Sequence, residues 1–126
     1  MPTLAEALGH DADGRLLILS ADLVGSTHAA TAAGITALRE GVATTSVFVE
    51  DFFGGDARLE VLMRILATLE PGTTELMCHP ARVDEVLRCE SSYVVEREQE
   101  LAVLTHPEAI RAVRENNILL THFGEL

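Results

Sequence analysis

Carboxylates and imidazoles follow the predicted strands of this chain. Asp22 comes directly after the first strand, Glu50 and Asp51 follow the second, His79 follows the third, and His122 follows the fourth. A carboxylate can take a proton from water, an imidazole can give one to a leaving group, and mixed sets of the two bind divalent metals. These residue types therefore favour hydrolysis with metal assistance.

Each of these residues also has a structural interpretation. Asp22 could cap the helix that follows it, and His79 could bond to backbone in its loop. His122 lies near the end of the chain, where incidental roles are common, and Glu50 and Asp51 are typical of solvated loop charges. The pattern alone leaves catalytic and structural roles open.

Two further positions carry a candidate binding role. His28 lies in the first turn of a predicted helix, either exposed or in contact with the edge of the site. Glu75 lies inside a strand that otherwise looks buried, and a buried carboxylate needs a partner such as Arg97 or Arg111. A structural ion pair is the first interpretation of Glu75, and a role in the site is the second.

Strands and helices alternate along the sequence. Strands are predicted at residues 15–20, 43–49, 73–78 and 118–121, and helices at residues 28–40, 57–69, 92–104 and, from a capping box at 105–108, to about residue 116. Residues 79–91 show no regular pattern. Right-handed crossovers make this order a mostly parallel sheet of about four strands with flanking helices, in a single α/β domain spanning residues 1–126. Periodicity leaves open whether the sheet is open or part of a barrel.

Composition narrows the range of partners. The formal net charge is −11, which disfavours nucleic acid and anionic lipid surfaces, because both carry negative charge. No apolar run reaches the length of about 18 residues that a membrane helix needs. Two isolated cysteines and a start without a secretory pattern favour a reducing cytoplasm.

Ordered motifs give the chain a family resemblance. Residues 15–25 and 40–47 are similar to the opening of YdjC-like (ChbG-type) carbohydrate deacetylases, in which an Ala-Asp-Asp-(Phe/Leu)-Gly motif ends the first strand and a Gly-(Leu/Val)-Val-Thr-Ser pattern begins the second. Residues 73–80 resemble the Glu-Leu-x-x-His-Pro segment of that family. Residues 96–108 resemble its Arg-x-x-Glu-Leu-x-x-Leu-Thr-x-Pro-Glu stretch, and residues 118–126 fit as well.

The resemblance implies an irregular (β/α) barrel, here partial, and metal-dependent removal of acetyl groups from N-acetylated sugars. It assigns Asp22 as the base that activates water and His79 as an acid or a site residue. The implied cofactor is a divalent metal, Mg²⁺ or Zn²⁺, with Asp22 as a possible ligand. Glu75, His28 and Arg97 are the candidate substrate contacts.

Two departures from the family pattern affect the predicted activity. Leu23 stands where the second aspartate of the pair is expected, and leucine cannot bind a metal. The chain also passes from Gly55 almost directly to the helix at 57–69, without the central region that carries two ligand histidines. We therefore expect weak or absent deacetylation. The alternatives are a sugar-binding module and a self-associating homo-oligomer that covers exposed sheet edges.

Overall fold

The structure, a computed structural model, describes residues 9–21 and 45–122. Its strands are β1 (Arg15–Ala21), β2 (Val47–Val49), β3 (Gly72–Cys78) and β4 (Ile118–Thr121). They pair in the order β2-β3-β1-β4, and every pair is parallel. The predicted parallel α/β architecture is confirmed, and the four described strands form an open sheet with β2 and β4 at its edges.

The register aligns the carboxyl ends of the two central strands. Ala21, the last residue of β1, lies opposite Cys78, the last residue of β3. By contrast, β4 ends at Thr121 opposite Ile18, three residues before the end of β1. The chain segments that follow β1 and β3 therefore leave the sheet at the same edge and at the same level.

Four helices are described: α1 (Leu59–Ala67), α2 (Glu85–Glu90), α3 (Val95–Leu104) and α4 (Pro107–Glu115). Helices α1, α3 and α4 contact one another, and α4 also contacts β4. Aliphatic side chains at helical spacing on α1 meet alternate residues of the central strands, since successive strand residues point to opposite faces. The resulting core contains Leu17, Phe52, Ala57, Val61, Leu62, Ile65, Leu66, Leu69, Leu76, Cys78, Ala109, Ala112 and Ile118.

The start of α4 differs from the predicted capping box. Thr105 does not cap this helix, because its hydroxyl donates to the Leu101 carbonyl at the end of α3, at 2.7 Å. His106 is the N-cap instead, and its Nδ1 accepts from the backbone N–H of Glu108 at 3.2 Å. The predicted left-handed residue after the helix is confirmed, with Asn117 at φ 52°.

Two other helix boundaries also differ from prediction. A 3₁₀ turn occupies Gly54–Asp56, so that Asp56 does not cap α1, which begins after Arg58. The segment predicted to be irregular contains α2, whose first turn is capped by Asp84 through a bond from the Leu87 N–H. No helix within the described residues is long and apolar enough to cross a membrane.

Candidate active site

His79 follows β3 directly, at the carboxyl edge of the sheet. Its side chain is buried, with 7% of the residue exposed. The ring atom Nδ1 is inaccessible and has no hydrogen-bond partner. Buried polar atoms are normally paired, so this nitrogen has hydrogen-bonding capacity that the described residues do not use.

Glu100 holds the backbone at the same point. This carboxylate is fully buried on α3, and its Oε1 accepts from the backbone N–H of His79 at 2.9 Å. Its Oε2 accepts from the hydroxyl of Tyr93 at 2.7 Å. The hydroxyl of Tyr93 in turn accepts from the backbone N–H of Gly54 at 2.8 Å. One buried carboxylate thus ties together three segments that are far apart in the sequence.

Three rings surround this network. Phe53 stacks on Tyr93 with ring centres 4.8 Å apart and planes 2° from parallel. The imidazole of His79 is T-shaped to both rings, with ring centres 5.6 Å apart in each case. Both arrangements are favourable for aromatic pairs. The ring of His79 is therefore held by packing as well as by its backbone.

Arg97 is the second buried charged residue of α3. Its Nε donates to the carbonyl of Tyr93 at 2.8 Å, and its Nη1 donates to the carbonyl of His79 at 3.4 Å. The guanidinium also lies 5.7 Å from the centre of the Tyr93 ring, within range of a cation–π contact. Arg97 thus connects the backbone at Tyr93 to the backbone at His79. The contact between Arg97 and substrate stays a prediction.

The predicted ion pair of Glu75 does not form with Arg97 or Arg111. The ion pair recorded within the described residues joins Arg58 and Asp56. Glu75 is only half-buried, opposite Ile18 on β1, and its Oε2 accepts from the Thr45 hydroxyl at a long 3.5 Å. The ion-pair prediction was wrong, because the guanidinium of Arg97 donates its hydrogen bonds to the backbone carbonyls of Tyr93 and His79 instead. A contact of Glu75 with substrate stays a prediction.

The remaining sequence candidates divide into two groups. Glu50, Asp51 and His122 are exposed in the loops after β2 and β4. Asp22 and His28 lie outside the described residues. Asp22 is covalently next to Ala21, whose strand partner Cys78 precedes His79. The geometry therefore places the end of β1 beside His79, while the roles of Asp22 and His28 stay predictions.

Burial also affects the thiol that precedes His79. Burial, reinforced by the negative charge of Glu100, raises the pKa of Cys78 to about 11. Its Sγ donates to the Ser20 carbonyl at 3.6 Å. At neutral pH this thiol is protonated in the absence of a bound metal, and it is therefore a poor nucleophile.

Comparison with known proteins identifies the family. The sequence model of the YdjC-like protein family matches residues 19–115. The chain belongs to the YdjC-like family. It is 42% identical over 89 residues to a carbohydrate deacetylase of Thermoanaerobacter pseudethanolicus, covering 71% of this chain and 36% of that protein. It is 36% identical over 83 residues to a carbohydrate deacetylase of Geobacillus stearothermophilus, covering 65% of this chain and 34% of that protein.

A solved structure supports the same conclusion at the level of the fold. This YdjC-like chain superposes with a TM-score of 0.66 on a crystal structure from Enterococcus faecalis, of a protein named for presumed cellobiose-phosphate cleavage. The two share 25% sequence identity, over 79% of this chain and 40% of the other. The chain thus spans about a third of the length of the curated relatives that it matches.

The described part of this YdjC-like chain does not fit a divalent metal. Within residues 9–21 and 45–122, no group of three or more His, Cys, Asp or Glu side chains is arranged to hold an ion. Glu100 uses both of its oxygens for the His79 N–H and the Tyr93 hydroxyl. Among the described residues at this point, His79 keeps a ring nitrogen, Nδ1, without a hydrogen-bond partner.

Sequence reasoning missed three residues of this site. Glu100 was part of the quoted Arg-x-x-Glu-Leu stretch but was given no role. A signal was available, because Arg97 and Glu100 share a face of α3 with the apolar Leu104 at helical spacing. Two charged residues on an inward face indicate a buried polar network. The contacts of Phe53 and Tyr93, 40 positions apart, had no comparable signal.

Proposed function

We propose that this chain is a deacetylase-type domain that hydrolyses the acetamide of an N-acetylated saccharide. Water adds to the acetamide carbonyl carbon, and the C–N bond then breaks to give acetate and the free amine of the sugar. Asp22 takes the proton from the attacking water, and His79 gives a proton to the departing nitrogen. Asp22, the possible ligand of the Mg²⁺ or Zn²⁺ that the family resemblance implies, lies outside the described residues, so the steps are assigned to protein groups alone.

The position of His79 is the observation that supports this proposal most directly. It is a buried imidazole with an unpartnered Nδ1, at the carboxyl end of a central parallel strand. Ligands of parallel α/β folds bind at that edge of the sheet. Two relatives named carbohydrate deacetylases support the same reaction class. We expect slow turnover, since Leu23 replaces the second aspartate of the family motif.

The proposal is tested by measuring acetate released from N-acetylglucosamine oligomers. We expect His79→Ala and Asp22→Asn each to lower the rate by at least about a hundredfold, the lower end of what general acid–base catalysis contributes. His10→Ala is the control, because His10 is exposed in the turn before β1, at the opposite end of the sheet. A rate in His79→Ala equal to that of the wild type would reject His79 as the acid.

Self-association is a second candidate, favoured by the edge strand β4. Leu119 and Leu120 on this strand are 47% and 59% exposed, and no described strand pairs with its outer side. Beside it is an apolar groove of about 250 Å³ lined in part by Leu19, Ile110 and Val113. Exposed apolar edges of this kind are sites of pairing with another chain.

We propose that a second copy of this chain covers β4. Sedimentation of the wild type should give a dimer or larger species, and Leu120→Glu should shift it to a monomer. Val95→Glu is the control, because Val95 is 73% exposed on α3. A wild type that sediments as a monomer at micromolar concentration would contradict this proposal.

A further inference from the structure

Phe53 is an exposed aromatic ring that is held in a fixed orientation. The residue is 49% exposed, although its ring stacks on Tyr93 and is T-shaped to the imidazole of His79. The preceding residue, Phe52, is fully buried in the core. A single exposed apolar side chain is common on protein surfaces, but this ring is held by aromatic contacts directly beside a candidate active residue.

The supporting ring is fixed from several sides. The Tyr93 hydroxyl bonds to Gly54 and Glu100, and its carbonyl accepts from the guanidinium of Arg97. Gly54, at φ 59°, turns the chain immediately after Phe53 in a conformation that favours glycine. The stack therefore loses little conformational freedom when a ligand binds, which favours affinity.

The chemistry of the exposed ring and of its neighbour selects a class of ligand. An aromatic face carries negative charge density, and the C–H groups on the flat side of a pyranose ring carry partial positive charge. A sugar therefore stacks on an aromatic face while its hydroxyl groups hydrogen-bond at the ring's periphery. Beside Phe53 lies the imidazole of His79, whose Nδ1 has no hydrogen-bond partner among the described residues.

We infer that Phe53, supported by Tyr93, is a stacking platform for a pyranose ring of the saccharide. This inference rests on the proposed function in one respect, namely that the acetamide of the bound sugar points toward His79. The platform recognises the sugar ring itself, so it binds β-1,4-linked glucose oligomers as well as N-acetylglucosamine oligomers. Binding of the sugar ring by this platform therefore does not require an acetamide group and can be measured independently of hydrolysis.

Titration of the intrinsic fluorescence of Tyr93 tests the platform. The chain has one tyrosine and no tryptophan, so this signal arises from the residue beneath Phe53. We expect both kinds of oligomer to change the fluorescence of the wild type at millimolar concentration. Phe53→Leu, which keeps an apolar side chain but removes the ring, should raise Kd about tenfold, and Phe53→Tyr should leave it within about twofold.

Phe48→Leu is the matched control, because Phe48 is 48% exposed on the edge strand β2. It should leave Kd unchanged. Ligand-observed NMR on the same variants checks that fluorescence reports binding. A Kd for Phe53→Leu within about twofold of the wild type, or no saccharide binding by the wild type, overturns the inference.

Acetate release measured in parallel separates the two proposals. Saccharide binding that depends on Phe53 without release of acetate supports the platform and rejects the hydrolase. Acetate release with the same KM in Phe53→Leu and the wild type supports the hydrolase and overturns the platform.

Discussion

Glu100 accepts a hydrogen bond from the backbone N–H of His79 at 2.9 Å, although 21 residues separate the two in the sequence. A carboxylate on α3 thereby fixes the backbone of His79, the residue that directly follows β3. Because Glu100 also accepts from the Tyr93 hydroxyl, the same contact sets the aromatic stack relative to His79. The integrity of the site and the stability of the fold thus depend on one side chain.

Replacing Glu100 by alanine should destabilise the fold strongly. The substitution leaves the N–H of His79 and the hydroxyl of Tyr93 without their acceptor, and each unsatisfied group costs about 1–3 kcal/mol. We expect the free energy of unfolding to fall by about 3 kcal/mol in urea denaturation. Glu100→Gln should cost less, because the amide oxygen can still accept from one donor.

Glu98→Ala is the control for this measurement. Glu98 lies on the same helix but is exposed, and its contact with the N–H of Val83 is a long 3.4 Å. Its loss should change the free energy of unfolding by no more than about 0.5 kcal/mol. Equal effects of the two substitutions would show that the buried network does not stabilise the fold.

The hydroxyl of Tyr93 should titrate at unusually high pH. Partial burial and the hydrogen bond to Glu100 raise the pKa of Tyr93 from 10.0 to about 12, against the lowering effect of the Gly54 N–H. Absorbance of tyrosinate near 295 nm reports this residue alone, because it is the only tyrosine. Glu100→Gln should move the midpoint back toward 10, while a midpoint near 10 in the folded wild type would contradict the described geometry.

Local patterns predicted the strands well. The apolar run at residues 15–20 and the segment at 73–78 have the character of strands covered on both faces, and both are central in the sheet. The left-handed conformation of Asn117 was also predicted correctly, because it depends only on this residue and its neighbours in the sequence.

Hydrogen bonds between residues far apart in the sequence could not be predicted from local patterns. Thr105 and His106 both suit a cap, and the choice depended on Thr105 bonding back to α3. The partner of Glu75 was mistaken for the same reason, because charge alone does not show that Arg97 faces backbone carbonyls. His79 could be predicted from its place after a strand, whereas Glu100 and Phe53 required the packing of α3 against the loop after β2.

The two thiols should differ sharply in reactivity. Cys89 is exposed, whereas Cys78 is buried with a pKa raised to about 11, and both are free. Since the thiolate is the reactive form, iodoacetamide at pH 8 should modify Cys89 first and reach Cys78 only on unfolding. Mass spectrometry of tryptic peptides measures the two rates, with Cys89→Ser as the control. Equal rates in the folded protein would show that Cys78 is accessible.

Alkaline pH should destabilise the fold through Cys78 and Tyr93 together. Their pKa values in the folded protein are raised, from 9.0 to about 11 and from 10.0 to about 12 respectively. Above pH 9 the unfolded chain therefore loses these protons before the folded chain does, so the free energy of unfolding falls as pH rises. Below pH 9 the contribution of both groups is fully present and independent of pH.

The composition makes this loss of stability straightforward to assign. All nine basic side chains are arginine, whose ordinary pKa lies above this range, so no lysine titrates together with Cys78 and Tyr93. Urea denaturation at a series of pH values should show stability falling from pH 9 to pH 12. Tyr93→Phe should remove the loss of stability that Tyr93 contributes between about pH 10 and 12, and it should leave the loss that Cys78 contributes between about pH 9 and 11. A Tyr93→Phe curve parallel to that of the wild type would show that the hydroxyl titrates alike in the folded and unfolded chains.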